Sequence, residues 1–249
     1  MRKATIILIS LMIVSFAILS VNALDIKITP VSPYDTSVET PPQKWYEDAY
    51  KFVVNETLMT NSVIRREQSE NGSYSVVYVD FLASNPITRS EIATIISRYN
   101  GSYDTIESSR YLASTAPAFV DVPDGQWYTP AAQWAYENGI VNGVGGAYFA
   151  PERTITREEF AAMLYRYTEY LEVDTSARVD YSDFADSDSV SEWATDAMSW
   201  AVAEGLISGK PGKLLAPQDT ITRAEVATVI YRYNNEVKAH RDIWDGSIW

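Results

Sequence analysis

One phrase constrains this chain more than any other. It occurs as Thr88-Arg89-Ser90-Glu91, Thr156-Arg157-Glu158-Glu159 and Thr222-Arg223-Ala224-Glu225, each time after an isoleucine (Ile87, Ile155, Ile221) and ahead of an apolar, helix-period run ending in Arg-Tyr. The copies start 68 and 66 residues apart, so the chain is a repeat, and a repeat buries its apolar face only against its neighbours. Thr-x-x-Glu is a capping box: the Thr oxygen accepts from the backbone three residues on, and the Glu bonds back to the Thr N–H. That accounts for Thr88, Glu91, Thr156, Glu159, Thr222 and Glu225 as helix starts. The arginines do not fit. A cation at the first helical position faces the positive end of the helix dipole, at a cost of ~0.3–1 kcal/mol, yet every copy has one. Two readings stand. Arg89, Arg157 and Arg223 bind an anion beside free N–H groups, or they pair with an acid of a neighbouring unit.

Further residues recur around the phrase. The second unit carries Phe119, Asp121, Trp127, Ala131, Trp134-Ala135, Gly139, Gly143, Phe149 and Pro151; the third carries Phe184, Asp186, Trp193, Ala197, Trp200-Ala201, Gly205, Gly209, Leu215 and Pro217. The first is degenerate: Trp45, Ala49 and Phe52-Val53 keep their offsets, but Thr57 and Asn61 replace the two glycines and Ala83 replaces the proline. Its extra length alternates polar and apolar around Glu70-Asn71-Gly72-Ser73, a hairpin signal.

The predicted fold is all-α. It has three helix-loop-helix repeats over residues 43–101, 117–170 and 181–236, with a small β-hairpin at about 62–81 of the first. In units two and three the first helix starts near Trp127 or Trp193 and stops at the αL glycine, Gly139 or Gly205. Residues 1–23 read as a signal peptide, with Arg2 and Lys3 ahead of an apolar core and Val21-Asn22-Ala23 at the cleavage position. Residues 24–42 read as an extended proline-rich linker. A tail from 237 to 249 carries Ile243, Trp244, Ile248 and Trp249, aromatics suited to docking on the bundle or on another protein.

Composition removes several functions. The chain has no Cys, one His and a formal charge of -13, which excludes thiolate chemistry and a His-based site and argues against nucleic acid. Asp183, Asp186 and Asp188 do not have the spacing of a calcium loop. No nucleophile–base arrangement stands out, so a non-catalytic protein without metal or cofactor is expected, with no membrane span after signal cleavage.

The pattern Phe-x-Asp, Trp, Ala, Gly-x-x-x-Gly, Phe-x-Pro, Ile-Thr-Arg-x-Glu resembles the S-layer homology domain, in triplicate from about residue 43 to 236. The resemblance implies a pseudo-threefold bundle with grooves between units, at a prokaryotic cell surface. It also implies binding to a secondary cell-wall polysaccharide carrying ketal-linked pyruvate, with Arg89, Arg157 and Arg223 clamping the carboxylate. Trp45, Trp127 and Trp193 are candidates to stack on a sugar face, against the competing reading that they are core residues at a helix start. Because unit one departs from the pattern, well-formed sites are expected at Arg157 and Arg223 and a weaker one at Arg89. The rival reading is an exported helical-repeat adaptor that binds another surface protein.

Overall fold

The computed structural model describes residues 45–60, 62–68, 74–101 and 119–238. The expected signal peptide, the linker, the hairpin turn at 70–73 and the tail beyond 238 lie outside the described residues. Among the described residues six α-helices form the helical body: α1 (Glu47–Asn55), α2 (Arg89–Tyr99), α3 (Thr129–Glu137), α4 (Arg157–Tyr170), α5 (Thr195–Ala203) and α6 (Arg223–Arg232), the last continued by a π turn over Tyr233–Lys238. None of the described helices is long and apolar enough to cross a membrane. Separately from this body, β1 (Ser62–Gln68) and β2 (Tyr74–Asp80) pair antiparallel, with Ser62 opposite Asp80.

The first helix of each unit has nine residues, too few to be stable alone. Its partner is not the second helix of its own unit. The pairs that pack are α2 with α3, α4 with α5, and α6 with α1, so each second helix receives the first helix of the next unit and the last closes on the first. The repeat in sequence and the packed pair in space are therefore offset by one helix. The long connection inside each unit, from Glu137 to Arg157 in the second, gives the chain room to make this offset.

Two layers of contacts tie the three second helices to a pseudo-threefold axis. At their N-terminal ends the isoleucines hydrogen-bond in a cycle: Ile155 N to Ile87 O at 3.0 Å, Ile221 N to Ile155 O at 3.0 Å and Ile87 N to Ile221 O at 3.3 Å. All three side chains are fully buried. At the far ends Tyr99, Tyr167 and Tyr233 meet with ring centroids 5.8–6.2 Å apart. Each hydroxyl is bonded by the residue that follows another unit's tyrosine: Tyr99 to Asn234, Tyr167 to Asn100, and Thr168 to Tyr233. The Arg-Tyr ending of each apolar run thus has a packing reason, since an aromatic at the axis needs a polar partner for its hydroxyl.

The first helices end alike. Gly139 (φ 71°) and Gly205 (φ 67°) adopt the left-handed conformation one residue past the C-cap, and Thr57 (φ 58°) adopts it in unit one. In all three, the next residue's N–H reaches back five positions (Leu58 to Val53, Ile140 to Ala135, Leu206 to Ala201), and its side chain is buried, as a Schellman cap requires. Unit one keeps the backbone and bears the strain of a β-branched residue at positive φ.

Candidate functional site

The repeated phrase is a cross-unit device. Each Thr accepts from the Glu N–H at 3.3 Å, and Oε2 of each Glu accepts from the Thr N–H at 2.8–3.0 Å. The other oxygen, Oε1, faces the arginine of the preceding unit. Arg89 Nη1 lies 3.5 Å from Glu159, Arg157 Nη1 3.0 Å from Glu225, and Arg223 Nη1 3.4 Å from Glu91. Each glutamate therefore caps its own helix and pairs with its neighbour's arginine, closing a ring of three ion pairs.

The arginines are buried, at 5% (Arg89), 4% (Arg157) and 9% (Arg223) exposure. Each Nε donates to a backbone carbonyl at the start of a Phe-x-Pro-type turn: Arg89 to Phe149, Arg157 to Leu215 and Arg223 to Phe81. Burial pushes all three guanidinium pKa values down and the paired acids push back; arginine nonetheless stays charged at neutral pH. The helix N-termini are not open to a ligand. The Arg89, Arg157 and Arg223 N–H groups donate to Arg153, Asp219 and Asn85 carbonyls, and those of Ser90, Glu158 and Ala224 donate to Pro151, Pro217 and Ala83. The free N–H groups that sequence reasoning placed beside each arginine are thus occupied by backbone carbonyls. The dipole penalty at each arginine is offset by a glutamate that only the fold brings near.

Between units lie three open grooves with volumes of about 370, 490 and 260 Å³. Each is built by all three units. The first contains Arg89 of unit one, Glu159 and Arg166 of unit two and Trp193 of unit three. The second contains Arg157, then Glu225 and Arg232, then Trp45. The third contains Arg223, then Glu91 and Arg98, then Trp127. The tryptophans are not core residues: Trp45, Trp127 and Trp193 are 67%, 50% and 54% exposed. The groove over the degenerate unit is therefore the one that holds Arg223. Arg89, which belongs to the degenerate unit, sits over the regular second unit.

Sequence reasoning missed Arg98, Arg166 and Arg232. Each follows its phrase arginine by nine residues, at the Arg of the Arg-Tyr ending, a repeat that was there to be used. Nine residues turn a helix by about two and a half turns, so the two arginines of one helix face different grooves. It also missed the role of Phe-x-Asp. Asp121 accepts from Phe149 and Ala150 N–H, both at 2.7 Å, and Asp186 from Leu215 at 2.7 Å and Ala216 at 2.8 Å. These carboxylates hold Ala150 (φ 58°) and Ala216 (φ 51°) in the left-handed region, and so aim the carbonyls that receive Arg89 and Arg157. Burial would raise the Asp186 pKa, but these N–H bonds bring it below the ordinary carboxylate value. Gly143 serves the same corner, because a Cβ there would lie 2.6 Å from Tyr148 O and 2.8 Å from the Phe119 ring. Among the described residues no group of three His, Asp or Glu gathers to hold a metal.

A cyclic helical module with three cationic, tryptophan-edged grooves is the class that this geometry defines. Residues 118–161 and 183–227 match the family model of the S-layer homology domain; the chain is an S-layer homology domain protein. Unit one lies outside the matched segments, although its helices take the corresponding places in the ring. Among curated relatives, the surface-layer 125 kDa protein of Lysinibacillus sphaericus is 38% identical over 124 residues, 49% of this chain and 10% of that protein. The cellulosome-anchoring protein of Acetivibrio thermocellus is 30% identical over 155 residues, 61% of this chain and 33% of that protein. The amylopullulanase of Thermoanaerobacterium thermosulfurigenes is 34% identical over 145 residues, 58% of this chain and 7% of that protein. The chain thus spans a third or less of these relatives, and the similarity extends over only that share of the enzyme.

Proposed function

We propose that the chain is a non-catalytic anchoring module of the bacterial cell surface that binds an acidic wall polysaccharide in its inter-unit grooves. The S-layer homology resemblance names the polymer as a pyruvylated secondary cell-wall polysaccharide. The observation that carries the reading is the pairing, in every groove, of a half-exposed tryptophan with two arginines from different units. A tryptophan face suits the apolar side of a sugar ring, and a guanidinium suits its carboxylate. At a formal charge of -13 the protein gains no long-range attraction to an anionic polymer, so affinity has to come from these local contacts. In this reading Arg89, Arg157 and Arg223 form groove floors that position the ligand, and Trp45, Trp127 and Trp193 stack on it.

The test is pelleting with purified wall sacculi, before and after chemical removal of the attached polymer. Co-sedimentation that disappears with the polymer supports the reading, and so does its loss in a Trp45→Ala, Trp127→Ala, Trp193→Ala triple variant of unchanged thermal midpoint. Retention on stripped sacculi would transfer support to the adaptor reading. One feature favours that second reading: Val120, Val144 and Tyr148 are exposed together on unit two, joined by bonds from Val120 N to Ala147 O and from Val144 N to Tyr148 O.

A further inference from the structure

We infer that the three grooves are unequal: the Arg89 groove is the tight site for a carboxylate-bearing sugar, and Arg166 is the residue that receives the carboxylate. This rests on the anion-binding reading above and assigns within it what the repeat alone treats as equivalent. An arginine has five N–H donors, and what it can offer a ligand depends on how many the protein already uses. Arg157 donates side-chain bonds to Leu215 O, Glu225 and Ser208 O. Arg223 likewise donates to Phe81 O, Glu91 and Thr60 O. Among the described residues Arg89 donates a side-chain bond only to Phe149 O, with Glu159 at ion-pair distance.

The helix-end arginines differ in the same direction. Arg232 donates to the Gly205 and Leu206 carbonyls, and Arg98 to the Leu58 carbonyl, each capping the first helix of its own unit. Arg166 makes no such bond to unit two. Among the described residues it has no hydrogen bond and no ion pair, although it is only partly exposed. Partial burial lowers its pKa, with the Glu169 charge opposing, and a partly desolvated cation without a hydrogen-bond acceptor is an arrangement that an incoming carboxylate relieves.

The acids complete the contrast. In the Arg89 groove, Glu159 is shared between Arg153 at 2.5 Å and Arg89 at 3.5 Å, so one carboxylate faces three arginines of the lining. In the Arg157 groove, Lys210 is paired with Asp219 at 3.0 Å and Arg157 with Glu225 at 3.0 Å. The Arg223 groove is lined by Arg223, Arg98 and Glu91, with no third cation. Donor use and pairing therefore agree on one groove, where Trp193 supplies the stacking face.

The experiment is calorimetric titration of the full chain with methyl 4,6-O-(1-carboxyethylidene)-mannopyranoside, using methyl mannopyranoside as the neutral comparison. One site tighter than the others is expected for the acidic probe. Arg166→Gln should weaken that site by roughly tenfold to a hundredfold, the value of one charge-assisted bond, without moving the thermal midpoint, because Arg166 holds no internal bond. Arg232→Gln should leave the tight site within about twofold of wild type. Three equal sites, an unchanged Arg166→Gln variant, or an Arg232→Gln loss as large would overturn the assignment while leaving the anchoring reading intact. A wild-type chain that does not distinguish the acidic from the neutral probe would overturn both.

Discussion

The groove over unit two and the groove over unit one are built from the same phrase and have come to differ in what their arginines do. Over unit one, Arg223 and Arg98 are both bonded to the protein, to Phe81, Glu91, Thr60 and Leu58. Over unit two, among the described residues, Arg89 donates one side-chain bond and Arg166 none. The Arg223 groove spends its donors on holding the drifted unit in the ring, while the Arg89 groove keeps donors for something else. If the grooves bind as proposed, stability and recognition draw on the same guanidinium N–H groups, and a groove gains one at the expense of the other.

The comparison breaks most directly at the buried arginines. Arg223→Ala leaves Glu91 and two backbone carbonyls without their cation, and should cost about 3–5 kcal/mol of unfolding free energy in urea, the range for removing one member of a buried pair. Arg89→Ala removes fewer bonds and should cost visibly less; equal losses would mean that donor use does not track stability. Next in size is Asp186→Ala, which strips two backbone N–H groups at the corner that aims the Leu215 carbonyl toward Arg157. A loss of about 2–3 kcal/mol is expected, against little effect from Asp183→Ala, an exposed neighbour.

Acid titration tests the same corner. Burial opposes ionisation of Glu159 and Asp186, yet hydrogen bonds, with the Arg153 and Arg89 charges in the case of Glu159, hold both carboxyls below their ordinary values. A depressed carboxylate contributes stability that is fully present above the unfolded value of about 4 and is lost as pH falls through the lower folded value. The urea midpoint should therefore be level above about pH 5 and fall below about pH 4, with a shallower fall in Asp186→Asn. The smallest expected change is Thr57→Gly. It relieves a β-branched residue at φ 58° but loosens the unfolded chain, so a gain of at most about 1 kcal/mol is expected. A loss would mean that the Thr57 side chain has a role in unit one that outweighs its backbone strain.

Much of this protein was legible in order of sequence separation. The capping boxes at Thr88, Thr156 and Thr222, the second-helix starts and the stops at Gly139 and Gly205 depend on residues within a turn of one another, and the repeat supplied three readings of each. The family followed from the same spacing. What the sequence could not show was which unit completes which groove. Arg89 looked anomalous because its glutamate, Glu159, lies 70 residues away in the next unit; Trp193 could be read either as a stacking face or as a core residue because the rest of the groove that it edges comes from the two other units. Arg153 and Lys210, with no counterpart at the same offset, gave no repeat to notice. Local pattern determined the elements and their ends. Only ring closure, α6 on α1, decided which arginine N–H groups are used by the fold, because hydrogen-bond satisfaction is a property of neighbours in space.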